Sequence, residues 1–446
     1  MYNDFMEELD ISKIKNVHFI GIGGIGISAI ARMMICDGKN VTGQDMQDGE
    51  VISELRKVGA KIVIGQFYEN IPENTDLIVY TIAIDTYDPA LAEKIKSQIE
   101  IPVKSYPQML DIISRDKYTI AISGTHGKTT TTAMIAQILR DSGNDPTVIV
   151  GSLLVGDRSN FIAGKSKYLV VEACEYRRSF LNINPKVLVI TNIDEDHLDY
   201  YKDINDIKSA FREMVSRVPN DGYVVCNPDD NNIADVIKDI DVKIVNYNEF
   251  FDSNLSLKIP GIHNKKDAAC ACAIADILKI ENSVAKVALS NFPGTWRRFE
   301  FKGLLLNGVM LYDDYAHHPV EILATLEGFR ELYPKNEGWK ITVVFQPHLF
   351  SRTKLLLNEF SKSFIDADQV IVLPIYYARE EDDGSISSSI LVNEINKISS
   401  NSNAFLDFKE AETHLGSLLP GMDNKNIIIT MGAGEAFKIG DSLLKI

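Results

Sequence analysis

Runs of four or five apolar or β-branched residues, each stopping at a polar motif rich in glycine, histidine or charge, recur along the whole chain. The run at 17–20 precedes GIGGIG, that at 118–122 precedes SGTHGKTT, and that at 187–190 precedes TNIDEDH. Further on, 309–312 precedes DDYAHH, 341–345 precedes QPHLFSRT, 370–373 precedes PIYYARE, and 427–430 precedes MGAGE. Runs this short and continuously apolar predict strands buried on both faces of parallel sheets, because no alternation is needed there. Several lead into helical patterns, which makes the chain an α/β protein. Ligands of open α/β sheets sit at the carboxyl ends of strands, and that is where all of these motifs fall.

A chain of 446 residues is too long for one core and suits about three domains of roughly 150 residues. A new strand and loop series starts near Asp116, and Pro and Gly at 292–294 interrupt a helical pattern. The expected domains are therefore 1–116, 117–293 and 294–446.

The net charge of −16 disfavours a nucleic-acid partner, since no basic tract offsets repulsion from phosphates. An anionic ligand must then be held by local devices: glycine loops, helix N-termini, single Arg or Lys residues, or a metal. The five cysteines are odd in number and show no CxxC spacing, which suits free thiols in a reducing cytoplasm. Residues 1–10 are acidic and lack a signal-peptide pattern, and no apolar run reaches the ~18 residues of a membrane helix. The expected location is cytoplasmic, with no membrane partner.

Gly21-Ile-Gly23-Gly24-Ile25-Gly26 opens a helical pattern, so its backbone suits a diphosphate at a helix N-terminus. Asp45 closes the next strand about twenty residues on, where an acid reaches ribose hydroxyls. These features fit a nicotinamide dinucleotide as well as a sugar nucleotide, and a structural glycine turn equally. The stretch Ser123-Gly124-Thr125-His126-Gly127-Lys128-Thr129-Thr130 is not a full GxxxxGK[ST] loop, because Ile122 stands at the first glycine. Its core chemistry is nonetheless present: Lys128 for terminal phosphates, Thr129 for Mg²⁺, and loop N–H groups for oxygens.

Glu172 and His197 end neighbouring apolar runs, where a carboxylate and an imidazole suit Mg²⁺ bound to nucleotide phosphates, although Asp194, Glu195 and Asp196 also read as an ordinary acidic loop. His263 and Asn264 open a helix rich in Ala and Cys, as caps or as ligand contacts. Arg297 and Arg298 adjoin the second linker, and a guanidinium pair there suits phosphate or carboxylate recognition. The stretches after 312 and 345 are dense in ionisable groups, and Arg352 suits a carboxylate.

Together these motifs resemble the Mur ligase family over nearly the whole chain, from GIGGIGISAIARM to GAGE. GTHGKTTTT with TNIDEDH marks the superfamily. GIGGIG, DDYAHHPVEI and FQPHLFSRT together resemble the members that add L-alanine, while those that attach a recycled murein tripeptide share only the first two.

The resemblance implies an α/β fold of three domains: a Rossmann-like UDP-binding domain, a central P-loop ATPase-like domain, and a Rossmann-like C-terminal domain. It implies an ATP- and Mg²⁺-dependent ligase that joins L-alanine to the lactyl carboxylate of UDP-N-acetylmuramate through an acyl phosphate. A tripeptide donor is the alternative within the family. Outside ligase chemistry the alternatives are a sensor ATPase and a nicotinamide-dependent oxidoreductase, the last of which leaves the phosphate loop unexplained.

Carried over by position, Gly124 to Thr130 hold the ATP phosphates, and Thr129, Glu172 and His197 the metal. His263, Asn264, Arg298 and Asp314 contact nucleotide. Lys128, His348 and Arg352 serve the reaction, the last two by positioning the substrate carboxylates. Gly23, Gly24, Ile25 and Gly26 face the UDP diphosphate, with Asp45 near the uridine.

Some positions depart from the family pattern. Cys174 stands where Asp is frequent, Gln66 where His often sits, Arg379 in place of Gly, and Asp267 in place of the second Asn of HNxxNA. An Asp there accepts from an adenine amine but offers no donor to N7. Phe211 falls where some members carry a carbamylated Lys, so no carbamylation is expected.

Overall fold

The computed structural model describes residues 9–97, 100–154, 159–198, 200–377, 380–399 and 401–445. Three sheets carry the fold. The first contains β1 (Asn16–Ile20), β2 (Asn40–Asp45), β3 (Lys61–Ile64), β4 (Leu77–Tyr80) and β5 (Val103–Ser105), all parallel, in the order β3-β2-β1-β4-β5.

The second contains β6 (Tyr118–Ser123), β7 (Thr147–Leu154), β8 (Ser159–Ile162), β9 (Tyr168–Glu172), β10 (Val187–Ile190), β11 (Tyr223–Cys226) and β12 (Lys243–Asn246). Its order is β12-β11-β10-β6-β9-β7-β8, and only the β7–β8 pair is antiparallel.

The third contains β13 (Glu300–Leu304), β14 (Met310–Asp314), β15 (Lys340–Phe345), β16 (Gln369–Val372), β17 (Ser402–Ala404) and β18 (Asn426–Met431), in the order β13-β14-β18-β15-β16-β17. It is parallel except for the β13–β14 hairpin.

These orders place the motifs. In the first sheet the chain runs outward from β1 to β2 and β3, then returns to β4 on the other side. The glycine loop after β1 therefore lies at a reversal of strand order, the ordinary ligand crevice of such sheets. The second sheet reverses at β6, whose neighbours β9 and β10 carry Glu172 and TNIDEDH at their carboxyl ends. In the third, β18 lies between β14 and β15, which gathers the segments after all three strands.

Local chemistry sets the helix starts. Ser105 and Gln108 form a capping box on the helix Tyr106–Ser114, with Pro107 in its first turn. His318 caps the helix Pro319–Leu332 in a second box, in which Glu321 reaches back to the N–H groups of His317 and His318. Much of DDYAHHPVEI is thus a helix-start signal.

The chain forms two compact units, one of 1–251 with 268–289 and the other of 252–267 with 290–446. The first unit holds the first two sheets, which share a continuous core from Val17 and Phe19 to Phe211 and Val224, while Ile20, Ile78 and Tyr80 belong to a separate cluster in the first sheet. The helix Ile25–Cys36 packs on β7 and β8, where buried Asn160 donates to the Ile25 carbonyl and to Ser28 Oγ (2.8 Å). Residues 252–267 cluster with the third sheet: the Gly261 N–H donates to Glu331 at 3.2 Å, and Pro260 packs beside Gly328. Among the described residues, no helix is long and apolar enough to cross a membrane.

Phe211 is fully buried and stands edge-on to Phe180, with ring centroids 5.3 Å apart. Nearby Lys208 is paired with Asp235 at 2.7 Å. Phe211→Ala should cost about 3–5 kcal/mol, read as a lower urea midpoint for the first unit; a loss under about 1 kcal/mol would contradict this packing.

Candidate active site

The phosphate loop follows β6 and is braced from β10. Gly127 (φ 81°) is the N-cap of the helix Lys128–Asp141, and Gly124 (φ 130°) takes a conformation open mainly to glycine. A Cβ on Gly124 would strike the Thr191 hydroxyl. The His126 N–H donates to Asn192 Oδ1 (2.9 Å), and the His126 carbonyl accepts from Thr191 Oγ1 (2.6 Å) and Asn192 Nδ2 (3.0 Å). The Asp194 N–H donates to Thr125 Oγ1 at 2.8 Å. The first half of TNIDEDH is thus the frame of the loop. Ile122, at the departing glycine position, is fully buried within β6, and Thr130 is buried in the helix's first turn.

Lys128 turns back into this loop. Its Nζ donates to the Gly124 carbonyl, to the Thr125 carbonyl (2.9 Å) and to Glu175 Oε1 (3.1 Å), with Oε2 of the same carboxylate at ion-pair distance, 3.0 Å. Only 13% of the Lys128 side chain and 3% of Glu175's is exposed, so the pair lies largely out of water. Burial works against the ammonium, but the fields of Glu175 and Glu172 outweigh it, and Lys128 stays charged above the ordinary lysine range.

Glu172 accepts from Thr129 Oγ1 at 2.9 and 3.1 Å and from the Gly151 N–H at 2.7 Å. A Cβ at Gly151 would enter that carboxylate. His197 (φ 54°) lies beside Glu175 and Asp196, with Nε2 at 3.9 and 3.8 Å from them, and packs on the Tyr176 ring. Glu175 was not singled out as a site residue; its signal was the second acid of EACE, three residues after Glu172.

In the first sheet the Gly23 N–H donates to Asp45 Oδ2 at 2.8 Å, so Asp45 closes the glycine loop rather than standing apart from it. Gly24 is the N-cap of the helix that begins at Ile25. The Tyr106 ring covers Gly26 so closely that a Cβ would lie 2.6 Å from Cζ. Gln66, at a position of departure, accepts from the Tyr87 hydroxyl at 2.8 Å.

The second unit holds the other expected residues. Asp314 ends β14 and accepts from the N–H groups of Phe299 (2.7 Å) and Ala316 (2.8 Å). The two linker arginines differ in role. Arg297 is buried on Asp313 (2.6 Å) and on the carbonyls of Gly432 and Gly434, and so locks the hairpin to the loop after β18. Arg298 instead lies over the Tyr315 ring, with its charge felt by Asp314 and His263.

Burial, and then Arg298, hold His263 down to about 4, so the ring is neutral at physiological pH. Asn264 donates to the Pro260 carbonyl, a helix-start contact, and Asp267 is buried on the same helix. After β15, Arg352 and His348 Nδ1 are 3.2 Å apart, and the His348 ring stacks on Tyr376 and meets His317 edge-on. Tyr376 was missed because only its β-bridge to His348 brings it there. Arg379 lies outside the described residues.

Models of the Mur ligase family match three stretches: its catalytic domain at 16–118, its middle domain at 122–267, and its glutamate ligase domain at 297–434. The chain belongs to the Mur ligase family. Among its relatives is a UDP-N-acetylmuramate–L-alanine ligase of Caldanaerobacter subterraneus subsp. tengcongensis, 40% identical across 98% of this chain and 99% of that protein. Another, of the same name, from Acetivibrio thermocellus, is 41% identical across 98% of this chain and 97% of its own. The solved UDP-N-acetylmuramate–alanine ligase of Thermotoga maritima is similar with a TM-score of 0.79 and 26% identity, covering 97% of this chain and 98% of that one. The murein peptide ligase of Psychrobacter arcticus shares the fold at 22% identity and a TM-score of 0.71, covering 97% of this chain and 98% of its own.

Burial pushes the Asp314 carboxyl up to about 6, against the pull of Arg298 and two backbone N–H groups. A carboxyl raised on folding stabilises the folded chain fully below its ordinary value, near 4, and that contribution is lost as pH rises through about 6. Between about pH 4 and pH 7 the urea midpoint of the second unit should fall more steeply in the parent chain than in Asp314→Asn. The contribution of His263 is common to both proteins, and parallel profiles would contradict the assignment.

Proposed function

We propose that the chain is an ATP-dependent ligase joining L-alanine to the lactyl carboxylate of UDP-N-acetylmuramate, in peptidoglycan precursor synthesis. The observation that carries this reading is identity of about 40% over almost the full length to relatives of that name, with GTHGKTTTT in place.

A carboxylate is a poor electrophile. Transfer of the ATP γ-phosphoryl group to one of its oxygens gives an acyl phosphate, which the amine of L-alanine attacks. The tetrahedral intermediate then expels phosphate and leaves the amide. Two anions must meet in the first step, so charge neutralisation is the main demand on the protein. Lys128 supplies a charge fixed by its buried surroundings, and the N–H groups in the first turn of the helix Lys128–Asp141 supply donors that need no reorganisation. Arg298, beside a neutral His263, adds a cation on the nucleotide side, and Arg352 with His348 suits the carboxylate of the incoming amino acid.

The donor set fits Mg²⁺. A hydroxyl and a carboxylate, Thr129 and Glu172, already touch, and Mg²⁺ is bound by one or two carboxylates plus phosphates and water rather than by a protein cage. Among the described residues no group of three or more His, Cys, Asp or Glu forms such a cage. Bound there, Mg²⁺ would neutralise phosphate charge. The proposed division of labour gives the sugar nucleotide to 1–116, the ATP phosphates to 117–293, and the amino acid to 294–446.

Phosphate release from ATP with Mg²⁺ and UDP-N-acetylmuramate should require L-alanine and fall with glycine, L-serine or no amine. Release only with the murein tripeptide would give the donor to the alternative, and release without any amine would favour a sensor ATPase. Removing Lys128 alone would strand a buried carboxylate at a cost of ~3–5 kcal/mol, so the loop is tested by Lys128→Met with Glu175→Gln. That pair of changes should keep the urea midpoint and cut turnover by about 10²–10³-fold or more; turnover near the parent's would sink the phosphate-loop assignment.

A further inference from the structure

The loops at the carboxyl edge of the first sheet, positions 21–26, 46–49, 65–70 and 81–88, contain no Lys or Arg. They carry acids instead: Asp48, Glu69, Asp85 and Asp88, with Asp45 at the end of β2. Two nearby lysines are already matched, Lys94 to Glu69 (3.1 Å) and Lys96 to Asp85 (2.5 Å). A sugar nucleotide at the glycine loop would bring further negative charge to an edge that has backbone donors and little else.

One cation reaches this edge from the neighbouring sheet. Arg177 follows β9, and its Nη2 donates to Thr86 Oγ1 at 2.8 Å. Thr86 lies in the turn Ile84–Tyr87 after β4, the strand beside β1, and the same loop's Thr81 packs against Gly21. Arg177 and Arg178 hold φ angles of 51° and 55°, left-handed conformations that side chains with a Cβ rarely adopt, and two in succession are rarer.

The neighbours explain only one of the two. Arg178 is clamped by Asp206 (2.8 Å) and Glu213 (3.4 Å), and its N–H closes a turn on the Glu175 carbonyl. Arg177, partly exposed, has among the described residues one polar partner, a neutral hydroxyl, and the face of Tyr176 at 5.6 Å. In a chain of net charge −16, a guanidinium with five donors is held at the ligand edge of a sheet without a carboxylate. Backbone strain kept for such a placement points to a ligand.

We propose that Arg177 binds an oxyanion of the sugar nucleotide, diphosphate or lactyl carboxylate, reaching from the phosphate-loop sheet to the glycine-loop sheet. The assignment rests on the ligase reading above. Calorimetric titration of the full chain with UDP-N-acetylmuramate, and with UDP-N-acetylglucosamine, which keeps the diphosphate but lacks the lactyl carboxylate, tests it. Arg177→Gln should weaken UDP-N-acetylmuramate about 10- to 100-fold and raise its KM alike, with affinity for a non-hydrolysable ATP analogue unchanged. Equal loss with both sugar nucleotides assigns the diphosphate; loss confined to UDP-N-acetylmuramate assigns the carboxylate. Should Arg177→Gln unfold, Arg177→Lys carries the test with a loss of about tenfold, since a lysine cannot reproduce the planar fork. Unchanged affinity for both ligands in a folded variant overturns the assignment alone. A parent chain that binds neither overturns the ligase reading with it.

Discussion

Lys128 and Glu175 form an ion pair almost wholly out of water, and the centre of the first unit is organised around it. A buried ammonium with no counter-charge would lose its proton. Glu175 keeps the charge in place, and the Gly124 and Thr125 carbonyls fix its direction. Holding Glu175 in turn requires β9 to lie beside β6. That requires the crossover from β6 to β7 to leave a gap in the sheet, which β9 fills. A charge that must stay buried thus constrains the strand order.

The same logic runs through the neighbouring contacts. The Thr129 hydroxyl and the Gly23 N–H are each held by a carboxylate, Glu172 and Asp45. Groups held this way are oriented in advance. The second unit uses charge differently. Arg297 is spent on structure, His263 is neutral, and Arg298 and Arg352 supply cations near aromatic or imidazole rings. Net acidity of the chain is compatible with anionic ligands because each cation is placed singly at a strand end.

Much of this was legible from the chain, and the reasons are physical. Buried parallel strands need continuous apolar runs, so β1, β6, β10, β15 and β18 announce themselves, and with them the motifs at their ends. Edge strands such as β3 and β12, largely exposed, carry no such run and went unmarked. Residues that work by long-range pairing were also hidden. Glu175 looks like any acid until β9 meets β6, Tyr376 until it stacks on His348, and Asn192 until it supports His126. Arg297 and Arg298 are adjacent and alike in sequence, yet only the structure separates the buried lock from the half-buried cation over Tyr315.

If ATP turns the substrate carboxylate into an acyl phosphate, one carboxylate oxygen must leave with the phosphate. The measurement uses UDP-N-acetylmuramate carrying ¹⁸O at both oxygens of the lactyl carboxylate, with ATP, Mg²⁺ and L-alanine, and mass analysis of the phosphate released. One ¹⁸O atom is expected in each phosphate, because the bond that breaks after attack by the amine is the one between the carbonyl carbon and the phosphorylated oxygen. Phosphate free of label would mean that ATP is hydrolysed by water without passing through the carboxylate, and would contradict the acyl-phosphate route.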